Sequence, residues 1–212
     1  MSHSLIYITG PDGSGKTSFI RELEEKLNAA NKEVRHVWIR SPKITSKPLM
    51  LLCRLFGLTE YKTRDGIKFG RHDFHKSKLV SSVFPYLQLI DFKLVWWYEK
   101  LKIPKKAVVI FDRFSLDTLC DLMVSTRNFR LHESWVGRRF IEMVPELKQV
   151  VLLSVSEGLI RERKADTRYD ELLGHKIKAF TILGKDLDLK SVDNNGSFHE
   201  TKSTITNYFL ND

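Results

Sequence analysis

Gly10-Pro11-Asp12-Gly13-Ser14-Gly15-Lys16-Thr17 fills the pattern G-x-x-x-x-G-K-[ST] at every fixed position. Residue frequencies put a chance match in a chain of this length below ~1%. The stretch before it, Ser4–Thr9, is apolar and β-branched. The stretch after it, Lys16–Ala30, carries Phe19, Ile20, Leu23 and Leu27 at helical spacing, with Arg21, Glu24, Glu25 and Lys26 on the other side. A strand, a glycine-rich loop and a helix in that order form a cradle in which backbone N–H groups converge on phosphate and the helix dipole adds to the attraction. Gly10, Gly13 and Gly15 let the chain turn, and Lys16 reaches the β and γ phosphates. The Thr17 hydroxyl ligates Mg²⁺. With Asp12, Ser14 and Ser18 these form the candidate nucleotide-binding set, and ATP and Mg²⁺ are the cofactors it implies.

Outward from this loop, further apolar runs at Glu33–Arg40, Ala107–Phe111 and Gln149–Val155, and a weaker one at Leu187–Val192, lack clean polar alternation. Such runs suit strands covered on both faces. Helical periods fall between them, at Lys47–Phe56, Ser77–Leu101, Leu116–Ser125, Glu133–Val144, Glu157–Lys164 and Ser197–Leu210. Alternating strands and helices predict an α/β, three-layer fold with a parallel, five-stranded sheet flanked by helices. No internal repeat or Pro/Gly-rich linker divides residues 1–212, which read as a single domain. Residues 57–78 have no regular period and read as an irregular basic segment.

With 42% hydrophobic and 29% charged residues, the chain is not disordered, collagenous or low in complexity. Its net charge of +9 suits phosphate-bearing partners. Two cysteines cannot build a disulfide framework, the N-terminus lacks a signal-peptide pattern, and no run of ~18 uncharged apolar residues is present. A reducing, cytoplasmic setting with no membrane is the expectation. His72 and His75 lack a third ligand at metal-binding spacing.

Two more constellations carry chemistry. Val108-Val109-Ile110-Phe111-Asp112-Arg113-Phe114 sets an acid and an arginine at the C-terminal end of a buried strand, where open α/β sheets bind ligands. Asp112 can hold Mg²⁺ or act on the acceptor, and Arg113 can contact phosphate. Arg161-Glu162-Arg163-Lys164-Ala165-Asp166-Thr167-Arg168 supplies cations suited to the charge that develops in phosphoryl transfer. Residues 161–171 form a candidate lid, with Arg161, Arg163 and Arg168 as its candidate catalytic arginines beside Lys16, Asp112 and Arg113.

Together, G-P-D-G-S-G-K-T at 10–17, F-D-R-F at 111–114, R-E-R-K-A-D-T-R-Y-D-E at 161–171 and V-D at 192–193 resemble the thymidylate kinase-like family of P-loop nucleoside-monophosphate kinases. The resemblance implies a P-loop NTPase fold, ATP and Mg²⁺, and transfer to a nucleoside monophosphate, most simply dTMP to dTDP. It implies that Asp12 approaches the acceptor sugar, and Arg40, in Ile39-Arg40-Ser41-Pro42, the acceptor phosphate. The family's aromatic and arginine pattern is not recovered in Leu89-Ile90-Asp91-Phe92-Lys93-Leu94-Val95-Trp96-Trp97, where Lys93 is the candidate substitute for an arginine. A lysine does not reproduce a guanidinium fork, so another acceptor stays open: a deoxynucleoside, a polyphosphate-linked nucleotide or a small metabolite. Trp96 and Trp97 diverge by about 100° on a helix, so at least one belongs to the core. The helix around Phe84–Tyr98 offers a homodimer face of the kind the family often uses. A P-loop regulatory module binding nucleic acid is the reading from another class, and the lack of a helix-turn-helix, zinc-finger or RNA-binding signature argues against it.

Overall fold

The computed structural model describes residues 5–64, 67–144 and 146–210. Five strands form one parallel sheet: β1 (Leu5–Thr9), β2 (Val34–Val37), β5 (Val108–Asp112), β6 (Val150–Ser154) and β7 (Lys190–Asp193). Their spatial order is β2-β5-β1-β6-β7. Successive residues of a strand point to opposite faces, and here both faces are covered. Leu5, Tyr7, Val109, Phe111, Val150 and Leu152 join one hydrophobic core, and Ile6, Ile8, Val108, Ile110, Val151 and Leu153 join the other. That is why the runs read as continuously apolar. Helices α1 (Lys16–Ala29) and α8 (Phe198–Leu210) lie on the second face. The first face carries α2 (Lys47–Leu55), α3 (Lys78–Leu101), α4 (Ser115–Thr126), α5 (Trp135–Ile141) and α7 (Leu173–Asp186), while α6 (Glu157–Arg163) follows β6.

The sequence expectations differ from the fold at several places. The segment 57–78 is not irregular: β3 (Thr59–Arg64) and β4 (Ile67–His72) pair as an antiparallel hairpin separate from the main sheet. Its base is closed by the Asp73 N–H donating to the Leu58 carbonyl at 2.8 Å. The period-two pattern was present, with Thr59, Tyr61 and Thr63 alternating with Glu60, Lys62 and Arg64, but the density of charge hid it. Helix α7 was not anticipated, and the last strand starts three residues later than Leu187, which caps α7. The helix expected at Glu133–Val144 contracts to α5 behind a 3₁₀ turn at Leu131–Glu133, with Ser134 accepting from Gly137 N–H at 3.2 Å as its N-cap. Strand β2 ends at Val37, although the Ile39 N–H still donates to the Arg113 carbonyl at 2.9 Å. Cys53 and Cys120 are buried free thiols.

Helix α3 is long and apolar enough by length and composition to cross a membrane, with a mean hydropathy of 1.2 over its most apolar 18 residues, although Asp91 and Lys93 leave it no uncharged run of that length. Val80, Phe84, Leu89 and Phe92 seat it in the core. Trp96 packs edge-on against Phe111 and Phe114, whereas Trp97 is exposed. Asp91, fully buried on the same helix, holds the start of α2. It accepts from Ile44 N–H at 3.0 Å, from Thr45 N–H and Oγ1 at 2.6 and 2.7 Å, and from Ser46 N–H and Oγ at 3.1 and 2.6 Å. Burial alone raises a carboxyl pKa, but the Ser46 and Thr45 hydrogen bonds outweigh it and hold Asp91 below its ordinary value. Asp91→Ala should therefore cost about 3 kcal/mol in chemical denaturation at pH 7. The wild type should also lose stability as pH falls from ~4, the ordinary carboxyl value, through the depressed pKa of Asp91, because the ionised form's contribution is complete only above the ordinary value.

Candidate functional site

Register decides what meets at the sheet's C-terminal edge. Ile8 of β1 pairs with Asp112 of β5, so the loop that follows β1 and the acid that ends β5 are neighbours. Gly10 leaves β1 at φ +142°, and a Cβ there would stand 2.8 Å from the Leu153 carbonyl. Gly15 caps α1 at φ +96°, with a Cβ meeting Asn194 Nδ2 at 3.0 Å. Both positions need glycine, for conformation and for room. Asn194, just beyond β7, donates from Nδ2 to the Ser14 carbonyl at 2.9 Å and so pins the loop.

Lys16 is nearly fully buried and folds back over its own loop, donating to the carbonyls of Gly10 at 2.6 Å and Pro11 at 2.9 Å. Burial lowers its pKa to about 8 despite the nearby Asp117 and Asp112 carboxylates. Ser14 Oγ, buried in the same loop, has no hydrogen-bond partner among the described residues. A backbone cradle, an unsatisfied hydroxyl and a desolvated ammonium fit a polyphosphate. Asp112 is raised in pKa by burial, with Lys16, His36 and the nearby Thr17 side chain opposing. Thr17 and Asp112 thus offer two oxygens together, a set that fits Mg²⁺ shared with phosphates rather than an all-protein cage. Among the described residues no cluster of three His, Cys, Asp or Glu side chains forms a metal site.

Arg113 adopts a left-handed backbone, φ +66°, held where its carbonyl accepts from Ile39. Its guanidinium contacts Asp12 and lies 3.8 Å from Asp117. Arg40 reaches Asp12 from the other side at 3.2 Å and Asp121 of α4 at 3.2 Å. Asp12 therefore sits between two guanidiniums. Beneath them Tyr7 donates to Asp117 at 2.7 Å, inside the core.

Two kinds of cavity adjoin the loop. One of about 380 Å³ is lined by Gly13, Gly15, Lys16, Thr17, Ser18, Arg113, Arg163, Lys164, Asn194 and Phe198. Its charged residues are all cations. On the other side of Asp12, two adjoining cavities of about 270 and 300 Å³ share Arg40, Gly70, Leu172 and Lys176, and extend under the β3–β4 hairpin.

The candidate residues sort accordingly. Gly10, Asp12, Gly13, Ser14, Gly15, Lys16, Thr17, Ser18, Asp112, Arg113 and Arg163 gather around the loop, with Arg163 also donating to the Asn194 carbonyl at 2.8 Å. Arg161 does not join them. It pairs with Glu157 at 2.7 Å and donates to the carbonyls of Thr167 and Arg168 at 2.8 Å each and of Asp170 at 3.2 Å, which shapes the 165–170 turn. Arg168 is exposed and contributes that carbonyl. Lys93 is exposed on α3 outside the lining of these cavities, and Gln88, five residues earlier on the inner face, stands in the cavity instead. Lys164, Asn194, His36, Asp121 and Lys176 were not singled out from sequence. Lys164 lies within the arginine-rich stretch and Asn194 directly follows V-D, so both had a local signal, whereas the other three depend on long-range packing.

No family model matches this chain, and no curated protein matches it.

An anion bound in the loop raises the pKa of Lys16 again. Binding of ATP at pH 8 should be accompanied by proton uptake, seen as a dependence of the calorimetric enthalpy on buffer ionisation enthalpy. The dependence should shrink at pH 7, where Lys16 is already mostly protonated and the terminal phosphate still mostly ionised, and the uptake at pH 8 should be absent in Lys16→Met.

Proposed function

We propose that this chain is a kinase that transfers the γ-phosphoryl group of ATP to a nucleoside-sized acceptor held between the phosphate loop and the β3–β4 hairpin. The observation that carries the reading is the meeting of Lys16, Thr17 and Asp112 at the adjoining ends of β1 and β5, beside a cavity whose charged lining is entirely cationic. The sheet order and the motif resemblance support a P-loop NTPase fold of the thymidylate kinase-like kind. That resemblance points to a nucleoside monophosphate, dTMP first, as the acceptor.

Each residue has a physical task. Lys16 exchanges its two carbonyl partners for phosphate oxygens, which offsets the desolvation it bears in the free protein. Thr17 and Asp112 hold Mg²⁺, which when bound neutralises charge on the β and γ phosphates. Arg113, Arg163 and Lys164 face the outer phosphate oxygens, where charge grows during transfer. Asp12, fixed by Arg40 and Arg113, stands between the donor and acceptor cavities and orients the incoming nucleophile. In a loose, in-line transfer this positioning is most of the catalysis.

The test is ADP formation from Mg·ATP over a panel of nucleosides, nucleoside monophosphates and small metabolites. Acceptor-dependent ADP release is expected from at least one class, and its absence from all of them rejects the reading. Lys16→Ala should lower turnover about 10²–10³-fold. Asp112→Asn should raise the Mg²⁺ concentration needed for half-maximal rate, which activity at fixed Mg²⁺ alone does not reveal.

A further inference from the structure

The cavity over the phosphate loop is polar except at one place. Phe198, the first residue of α8, is the one apolar side chain among its described lining residues, and it is 44% exposed. The other residues that line it are glycines, hydroxyls, an amide and cations, which suit phosphate and water but leave an open ring with nothing to pack on in the free protein. Burying that ring under a flat, partly apolar group would be favourable.

The ring is held from behind. Phe19 of α1 is buried and stacks on Phe198, with centroids 4.7 Å apart and 16° between the planes. Phe19 in turn stands against the loop, where a Cβ on Gly15 would meet its Cε2 at 3.3 Å. The first turn of α8 is fixed as well: Thr201 donates from its N–H to the Ser197 carbonyl at 3.2 Å and from Oγ1 to the Asp193 carbonyl at 3.3 Å, and Lys202 pairs with Glu22 of α1. One face of Phe198 is therefore taken, and the exposed part rests on a mount that needs no ordering when a ligand arrives. Phe19 belongs to the core on the second face of the sheet, whereas Phe74 and Phe84 of the acceptor side belong to the first. Arg113, through Asp12, joins the loop cavity to that acceptor side, and Phe198 leads away from it.

We propose that Phe198 is the platform for the base of the phosphoryl donor: the triphosphate lies along the loop with its terminal group toward Arg113, and the base stacks on the outer face of Phe198. This rests on the phosphoryl-transfer reading above and narrows its donor to nucleotides, since an inorganic polyphosphate has nothing to place on the ring. Stacking on an aromatic side chain holds a base by its face. The contact lies away from the phosphorus that is transferred, so it sets how tightly the donor is held and not how fast its terminal bond breaks.

The test is calorimetric titration of the full chain in Mg²⁺ with a non-hydrolysable ATP analogue and with tripolyphosphate, for the wild type, Phe198→Leu and Phe198→Trp. Leucine still covers Phe19 but offers no flat face. Phe198→Leu should bind the analogue about tenfold more weakly, while its affinity for tripolyphosphate stays within about twofold of wild type. Phe198→Trp should keep the analogue's affinity, and the emission it adds to that of the wild type should be quenched by the analogue and not by tripolyphosphate. A leucine variant that binds the analogue like the wild type, or loses both ligands alike, overturns the inference, as does a tryptophan variant whose added emission ignores the analogue. So does a wild type that binds tripolyphosphate but not the analogue. A wild type that binds neither ligand fails the phosphoryl-transfer reading, whereas one that binds both with no selective effect at Phe198 fails this inference alone.

Discussion

The parallel register of β1 and β5, which sets Ile8 opposite Asp112, is the constraint on which the candidate site depends. A slip of one residue would turn Asp112 to the other face of the sheet and separate it from Thr17. The register is held from both sides. Tyr7 and Phe111 enter one core, Ile8 and Ile110 enter the other, and the buried Tyr7–Asp117 hydrogen bond ties β1 to the start of α4. The same packing that stabilises the sheet therefore brings the loop, the acid and Arg113 to one edge.

On that edge the charges are arranged as a balance around Asp12. Two guanidiniums fix one carboxylate, so the loop is joined to the ends of both β2 and β5 without a hydrophobic contact at that point. Such a cluster is a poor source of stability, because each ion bears a desolvation cost. It makes better sense as positioning: a carboxylate held from two directions has one orientation, here beside the cavities that extend under the hairpin. The left-handed backbone of Arg113 is the local strain that this placement accepts.

What could be read from sequence was local and what could not was long-range. The glycine-rich loop, its flanking strand and helix, and the acid at the end of β5 are all contiguous signals, and these elements fold where the periodicity predicts. Lys93 was chosen for its chemistry on a helix whose inner face belongs to Gln88 and Asp91; both faces of α3 carry large apolar residues, so hydropathy did not show which one was buried. Arg161, Arg163 and Arg168 look equivalent in a row of charges, and only the 165–170 turn separates the arginine that builds the backbone from the one that faces the loop. The hairpin was hidden for a similar reason. Its strands alternate Thr59, Tyr61 and Thr63 with Glu60, Lys62 and Arg64, but a run so rich in charge reads first as exposed loop.

The hairpin leaves the helical layer at Leu58 and returns at Asp73, and those two residues are hydrogen-bonded to each other. Its β-pairing is internal, and among the described residues no strand of the main sheet pairs with it. In evolutionary terms it is a cassette: it can be exchanged, lengthened or lost at one closed junction while the edge of the sheet that carries the glycine-rich loop keeps its register. In the proposed kinase, such an exchange would change the acceptor by rewriting one ribbon.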